Sequence, residues 1–366
     1  MVIGTVIVLI VVLLRFVDCF SAAVNKCFAW ISMHWVRVSW WLLSSRILLL
    51  QVQVVTKFSY MQEVIWPPPF RCMVELLDLI FLDIVAWMPS TECVEVNHYR
   101  LLLFYTLAPI PLYVGLVIFY VAKSLKKVRS IEGDSDRARV RAAAVKHGWL
   151  RAYDLFLEIL SFLHSLICVR IFQTLDCDEF DYGIESDHRF LRIDYQVDCD
   201  SETHLSYMTY AYCAVGCYCF VVPVAMLFRR RHQARSASKA SILAMPYKEH
   251  LWFFDVEDMS YRLLMTGLLL VLSRDPEFRK VMCVYISTCQ QVVVTILRPF
   301  VNASHNKIAT AGQFITTLTI TAAYILDAMS GRRREAVGWL LFFSNIFVIA
   351  VVRRCLTYNT AMETRR

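Results

Sequence analysis

A chain of 366 residues in which 58% are hydrophobic and only 19% charged, with a mean hydropathy of +0.50, is more apolar than a soluble domain of that size can bury. It reads as a polytopic membrane protein. The formal net charge of +7 does not point to nucleic acid, because the basic residues fall in short runs beside apolar segments, where they mark topology.

Taken in order, Val2 to Leu14 is an unbroken apolar run followed by Arg15 and Asp18. No positive stretch precedes it, which favours a retained first helix over a signal peptide. Cys27 to Leu43 interleaves Trp30, Trp35, Trp40 and Trp41 with Lys26 and Arg37, the composition of a helix lying among lipid headgroups on the inner face. Leu42 to Tyr60 is the next crossing, so residues 1–60 read as N-terminal membrane helices with an interfacial segment. Three prolines in Trp66-Pro67-Pro68-Pro69 forbid helical continuation. Residues 61–98 then form an external amphipathic or re-entrant segment, in which Glu75, Asp78, Asp83, Glu92 and Glu95 face the single base Arg71. Cys72 and Cys93 are a candidate disulfide there.

Residues 99–352 are expected to form the transmembrane bundle. Leu101 to Ala122 crosses inward, and the bases of loop 123–151 outnumber Glu132, Asp134 and Asp136, which makes that loop cytoplasmic. Asp154 to Phe172 crosses outward and Tyr207 to Phe228 returns to Arg229, Arg230 and Arg231. Between them, loop 173–206 is rich in acids, among them Asp178, Glu179, Asp181, Glu185, Asp187, Asp194 and Asp198. Because Lys and Arg collect on the cytoplasmic side, the acidic loop lies outside. Cys177 and Cys199 then sit in an oxidising compartment, where a disulfide closing the loop contributes roughly 3 kcal/mol.

Residues 229–250 form a second basic cytoplasmic loop. Leu251 to Ser273 crosses outward and carries Asp258 and Arg262, four residues apart and able to neutralise each other on one helix face. Val281 to Leu297 returns to Arg298-Pro299, Ile308 to Asp327 goes out, and Val337 to Val352 comes back to Arg353 and Arg354, leaving 353–366 as a cytoplasmic tail. The expected fold is therefore an all-α polytopic bundle of about nine spans with a small disulfide-closed external loop. One turn, 328–335, places Arg332, Arg333 and Arg334 outside, against the charge rule. The sequon Asn302-Ala303-Ser304 falls in a cytoplasmic turn and is expected to be unglycosylated.

The nine histidines show no metal spacing, and no Gly-rich phosphate loop or nucleophile elbow occurs, so neither an enzyme nor a cofactor is implied. Cys213, Cys217 and Cys219 read as packing residues. Glu158 and Arg170 sit near the ends of their span and are expected to snorkel. Polar residues recur within two late spans: Ser287, Gln290, Gln291 and Thr295 on one, Thr310, Gln313, Thr317 and Thr321 on the next. Such stripes bind helices together by hydrogen bonds or line a hydrophilic path, and their lack of charge favours the first.

Four stretches carry a family resemblance: Ile171-Phe172, Thr174 and Cys177 with Leu191-Arg192, Asp194-Tyr195, Asp198-Cys199-Asp200 and His204; Trp252 with Asp255, Asp258, Arg262-Leu263-Leu264 and Thr266-Gly267; Arg298-Pro299-Phe300 with Asn306-Lys307; and Trp66-Pro67 with Phe70. Over roughly Arg46 to Asp327 the chain resembles the multi-pass, transient-receptor-potential-like membrane module at the C-terminal end of large extracellular-repeat proteins of algae, oomycetes and other protists. The chain departs from that pattern in lacking the cysteine-rich repeats ahead of the membrane. The resemblance implies a channel-like protein and supplies no pore residues.

Three functional classes follow from this reading. The leading one is a channel-like protein passing cations that the acidic loop concentrates. Its rival is a non-conducting membrane anchor or assembly scaffold. A solute transporter ranks third, since no paired interrupted helices occur in corresponding halves. The expected partners are membrane lipid, further copies of the chain and cations, with no nucleic acid, in the plasma membrane or another secretory-pathway membrane.

Overall fold

The computed structural model describes residues 35–62, 64–80, 97–129, 137–180, 188–236, 247–273, 275–329 and 331–363. Helix α1 (Trp35–Met61) ends where Val64 N–H bonds to Ser59 O, and Pro68 opens α2 (Pro68–Ile80), a position where its missing N–H costs nothing. Helix α3 (His98–Leu107) is capped by the Asn97 side chain accepting from Tyr99 N–H, and α4 (Pro109–Arg129) carries it on. Helix α5 (Arg137–Thr174) runs back along α4, and the two approach closely at Gly148, where a Cβ would lie 2.9 Å from the Tyr120 carbonyl oxygen. Residues 123–129 and 137–151, expected as a loop, are thus largely helical, and the two helices form a long antiparallel hairpin.

The expected external loop is not irregular. Strands β1 (Cys177–Phe180), β2 (His188–Leu191) and β3 (Asp194–Asp198) form an antiparallel sheet in that order, with Cys177 opposite Leu191 and Phe190 opposite Asp198. The Cys177–Cys199 disulfide joins the start of the first strand to the residue after the last. Helix α6 (Glu202–Val215) starts from a Ser201 cap, passes through a wider π turn at Gly216–Val221 and continues as α7 (Val222–Ser236). Helix α8 (Phe254–Leu263) passes through a second π turn, Leu264–Leu268, into α9 (Leu269–Leu272). In that turn a Cβ on Gly267 would fall 2.1 Å from Phe172 Cδ2, so the ring of α5 occupies the space a side chain would take.

Helix α10 (Pro276–Leu297) stops at Arg298, which lies in the left-handed region at φ 45°. Asn306 then grips Phe300 at both backbone groups, accepting from its N–H at 2.9 Å and donating to its carbonyl at 2.7 Å. That clamp turns the chain into α11 (Ala303–Asp327), and α12 (Arg332–Glu363) follows. The sequon residue Asn302 caps α11 by accepting from Ser304 N–H.

Five described stretches are long and apolar enough to cross a membrane: His98–Val128, Arg139–Thr174, Glu202–Ala234, Pro276–Leu297 and Ala303–Asp327. The expectation of nine is therefore supported for five. Val2 to Leu14 lies outside the described residues, and Leu42 to Tyr60, Leu251 to Ser273 and Val337 to Val352 fall on helices outside that set. Helix α1 is too polar because it is interior: Gln53, Thr56 and Lys57 on it are buried by protein. The expected tail is helical to Glu363.

One apolar cluster joins Leu102, Leu160, Ile171, Phe172, Ala211 and Leu263, and a second joins Phe58, Trp66, Phe70, Met265, Leu269, Ile320 and Leu341. Because Leu263 belongs to one and Met265 to the other, α8 and its π turn join the two sets of helices. A third cluster, with Ile47, Leu251, Phe254, Val294, Phe300 and Ile308, closes the end opposite the sheet. Arg334 donates to Ile65 O at 2.6 Å, Lys280 pairs with Asp327, and Arg279 donates to Gln62 beside the sheet. Arg332, Arg333 and Arg334, expected in a turn, form the first turn of helix α12, and that helix start lies at the sheet end.

Candidate functional site

At the sheet end, a cavity of about 440 Å³ is lined by Asp176, Asp178 and Glu179 with Arg189, Arg192 and Arg279, over a wall of Phe172, Met208 and Tyr212. Strand β1 supplies Asp178 and Glu179, and the two-residue link from α5 supplies Asp176. Arg192 grips Asp178 through Nε at 2.9 Å and Nη2 at 2.5 Å and reaches Asp176 at 3.3 Å, while Tyr195 donates to Asp178 at 2.9 Å. Burial pushes the Asp178 carboxyl up, but the bonds from Arg192 and Tyr195 and the Arg192 charge outweigh it and hold the group below its ordinary range. Arg189 pairs with Asp200. The acids that were expected to concentrate cations are thus partly neutralised by arginines of the same sheet.

Behind the sheet, the His204 imidazole is fully buried, its Nδ1 2.9 Å from Tyr99 Oη. Tyr99 stacks on Tyr207 at 4.0 Å, and His98 Nε2 meets Thr174 Oγ1 at 2.9 Å, which ties α3 to the sheet end of α5. Cys72 is an exposed free thiol, and Cys93, its expected partner, lies outside the described residues. Cys213 and Cys217 are exposed, whereas Cys219 is buried 3.9 Å from Cys168.

The two polar stripes meet only in part. Ser287 Oγ and Thr317 Oγ1 lie 2.8 Å apart between α10 and α11, and Gln313 donates to Tyr261 Oη at 2.9 Å. Gln290 donates to Glu257 at 3.2 Å. Thr295 is exposed and binds within its own helix, bonding the Gln291 carbonyl and accepting from the Gln291 side chain. Thr321 bonds the Thr317 carbonyl, and Thr310 is half-buried.

A buried charge cluster among the described residues joins positions that no spacing in the sequence links. At the end opposite the sheet, Glu158 on α5 accepts from Arg46 of α1 at 2.7 Å and from Arg230 of α7, and Arg230 also pairs with Asp255 of α8. Side chains of the first pair are 9% and 3% exposed, so these charges are inside protein. Glu158 does not snorkel: arginines from two other helices, α1 and α7, converge on it. Beside it Asp154 holds Arg229 at 2.5 and 2.9 Å and accepts from Gln233 at 3.1 Å. Tyr247, half-buried beside Asp255, has its phenol pushed well above the usual range by desolvation and by the nearby carboxylates.

One helix turn along, Arg262 donates to Asp258 at 3.0 Å and to the Ser161 carbonyl at 3.1 Å. Arg170 lies over the Tyr105 ring, 5.5 Å from its centroid, and donates to Gln173. The signal available beforehand was the presence of Arg46, Glu158 and Arg230 in or beside apolar runs, since buried ionisable residues in membrane helices face the bundle interior. Their pairing was hidden because the partners are 112 and 72 residues apart. Comparison with protein-family models, curated proteins and solved structures gives no match.

Proposed function

We propose that this chain is a non-conducting integral membrane scaffold, a helical bundle that presents a disulfide-closed sheet on its outer face. The observation that carries the reading is the pairing of Ser287 with Thr317 and of Gln313 Nε2 with Tyr261, which turns these buried groups of the late helices to helix contacts, while Gln313 Oε1 keeps no hydrogen-bond partner. The charge cluster supports it too. Arg46, Arg229 and Arg230 balance Asp154, Glu158 and Asp255, so the cluster acts as a neutral clamp between α1, α5, α7 and α8 with no net charge to attract an ion. In this reading the sheet faces out and Arg229, Arg230 and Arg231 face the cytosol of a secretory-pathway membrane, and lipid and further copies of the chain are the partners.

A cation-passing, transient-receptor-potential-like protein is the second reading, favoured by Asp176, Asp178 and Glu179 around the outer cavity. Purified protein in liposomes, assayed for potassium, sodium and calcium flux, decides between the two. The scaffold predicts flux equal to that of empty liposomes, with Ser287→Val and Gln313→Leu changing stability alone. Flux that those substitutions alter overturns it.

A further inference from the structure

The sulfur atoms of Cys177 and Cys199 and a ring nitrogen of His204 all lie within 4.8 Å of one another. We propose that, once the disulfide is reduced, these three residues bind a thiophilic divalent cation such as Zn²⁺, so that the sheet end alternates between a sulfur–sulfur bond and a metal–dithiolate. This inference is independent of whether the bundle conducts.

The chemistry of the donors fits. Two thiolates and one imidazole are a recurrent zinc ligand set, and bond lengths of about 2.3 Å to sulfur and 2.0–2.1 Å to nitrogen put neighbouring ligand atoms about 3.5–3.8 Å apart in a tetrahedron. His204 Nε2 is already 3.8 Å from Cys177 Sγ. Opening the bond lets the two sulfurs separate to such a spacing by side-chain rotation. Zinc needs a neutral imidazole with a lone pair facing the ion; here Nδ1 lies 2.9 Å from Tyr99 Oη and Nε2 faces Cys177 Sγ, so the tautomer with its proton on Nδ1, donated to Tyr99, is the one that ligates. Tyr99 is fixed in turn by its stack on Tyr207. A positioned partner behind a histidine ligand is the usual outer shell of a metal site.

A way in exists as well. Cys177 lines the outer cavity, while Cys199 and His204 are buried behind it. Two molecules of a low-molecular-weight thiol reduce the disulfide to two cysteine thiols and leave as their own disulfide. The cation then displaces the two thiol protons, forming two bonds to sulfur and one to Nε2, and water takes the fourth position. Ligation requires reduction, so oxidation of the pair expels the ion.

The test uses the full-length protein in detergent, titrated with Co²⁺ as a spectroscopic stand-in for Zn²⁺. Reduced wild type should bind one equivalent that C177S/C199S lacks, with thiolate-to-cobalt charge-transfer and tetrahedral ligand-field bands. His204→Gln should weaken binding by more than tenfold, and Tyr99→Phe by about 10- to 100-fold. Reoxidising the loaded wild type with diamide should release the ion to a chromophoric chelator, a readout that requires no variant to fold. Absence of the bands in reduced wild type, their persistence in C177S/C199S, unchanged affinity in His204→Gln, or retention of the ion after reoxidation would each overturn the proposal.

Discussion

Replacing Glu158 by Gln removes a carboxylate that pairs with both Arg46 and Arg230, which are buried. The replacement keeps the shape and sets a neutral amide against both guanidiniums, with Arg230 retaining Asp255 and the Arg46 pair broken. Breaking a buried pair from one side costs about 3–5 kcal/mol, because the stranded charge has lost its solvation and its partner together. An internal control exists in Arg71 and Glu75, which pair at the same 2.7 Å but with side chains 66% and 61% exposed. Water already solvates that pair, so Arg71→Gln should leave stability unchanged within error. Reversible unfolding in mixed micelles, followed by far-UV circular dichroism, measures both. Double replacement of Arg46 by Met and Glu158 by Leu should be milder than Glu158→Gln alone, since it removes charge in equal amounts. A Glu158→Gln loss below about 1 kcal/mol, the range of exposed pairs, would refute the claim that burial sets the magnitude.

Gly267→Ala should destabilise the bundle by about 1–3 kcal/mol through overpacking against Phe172, and Phe172→Leu in the same chain should recover part of the loss in thermal unfolding. A double-mutant cycle on Ser287→Val and Thr317→Val should give a coupling of about 0.6 kcal/mol, the usual worth of a hydrogen bond between membrane helices. Since the folded Asp178 carboxyl lies below its ordinary value of 3.8, its stabilisation of the sheet is fully present above that pH and is lost as pH falls through the folded value. Acid titration of sheet amide exchange should show that step in wild type and lack it in Asp178→Asn. Serine at both Cys177 and Cys199 should cost roughly 3 kcal/mol, read as faster amide exchange in residues 177–199.

Five of the nine expected crossings were readable because each rests on local apolar composition, and the closure of the acidic segment by two sulfurs because charge asymmetry placed both in one oxidising compartment. The strands were not, since β1 and β2 are four residues each and their charged residues hide any alternation. The stripe on α10 was misjudged for a geometric reason. Steps of four residues turn 400°, or about 40° beyond a full circle, so a stripe that starts buried at Ser287 has rotated to the surface by Thr295. Ser287, Gln290 and Val294, spaced three and then four, stay buried. The charge clamp needed tertiary structure, because no spacing rule connects α1 with α5 or α7. The two π turns also leave no mark on the pattern, although each shifts the helical register by a residue and changes which face meets the neighbour.

The hairpin of α4 and α5 has a mechanical corollary. The helical stretch Arg139–Thr174 is 36 residues long, about 54 Å at 1.5 Å per residue, whereas hydrocarbon is about 30 Å thick. In the membrane setting proposed above, roughly 20 Å of that rod extends past the hydrocarbon at the clamped end, where it carries Arg141, Lys146 and Arg151 and is braced by its neighbour at Gly148. Each degree of tilt within the bilayer sweeps the free tip sideways by about 0.3–0.4 Å. Whatever grips that basic oar feels the rocking of the interior amplified, and can push back on it with the same leverage.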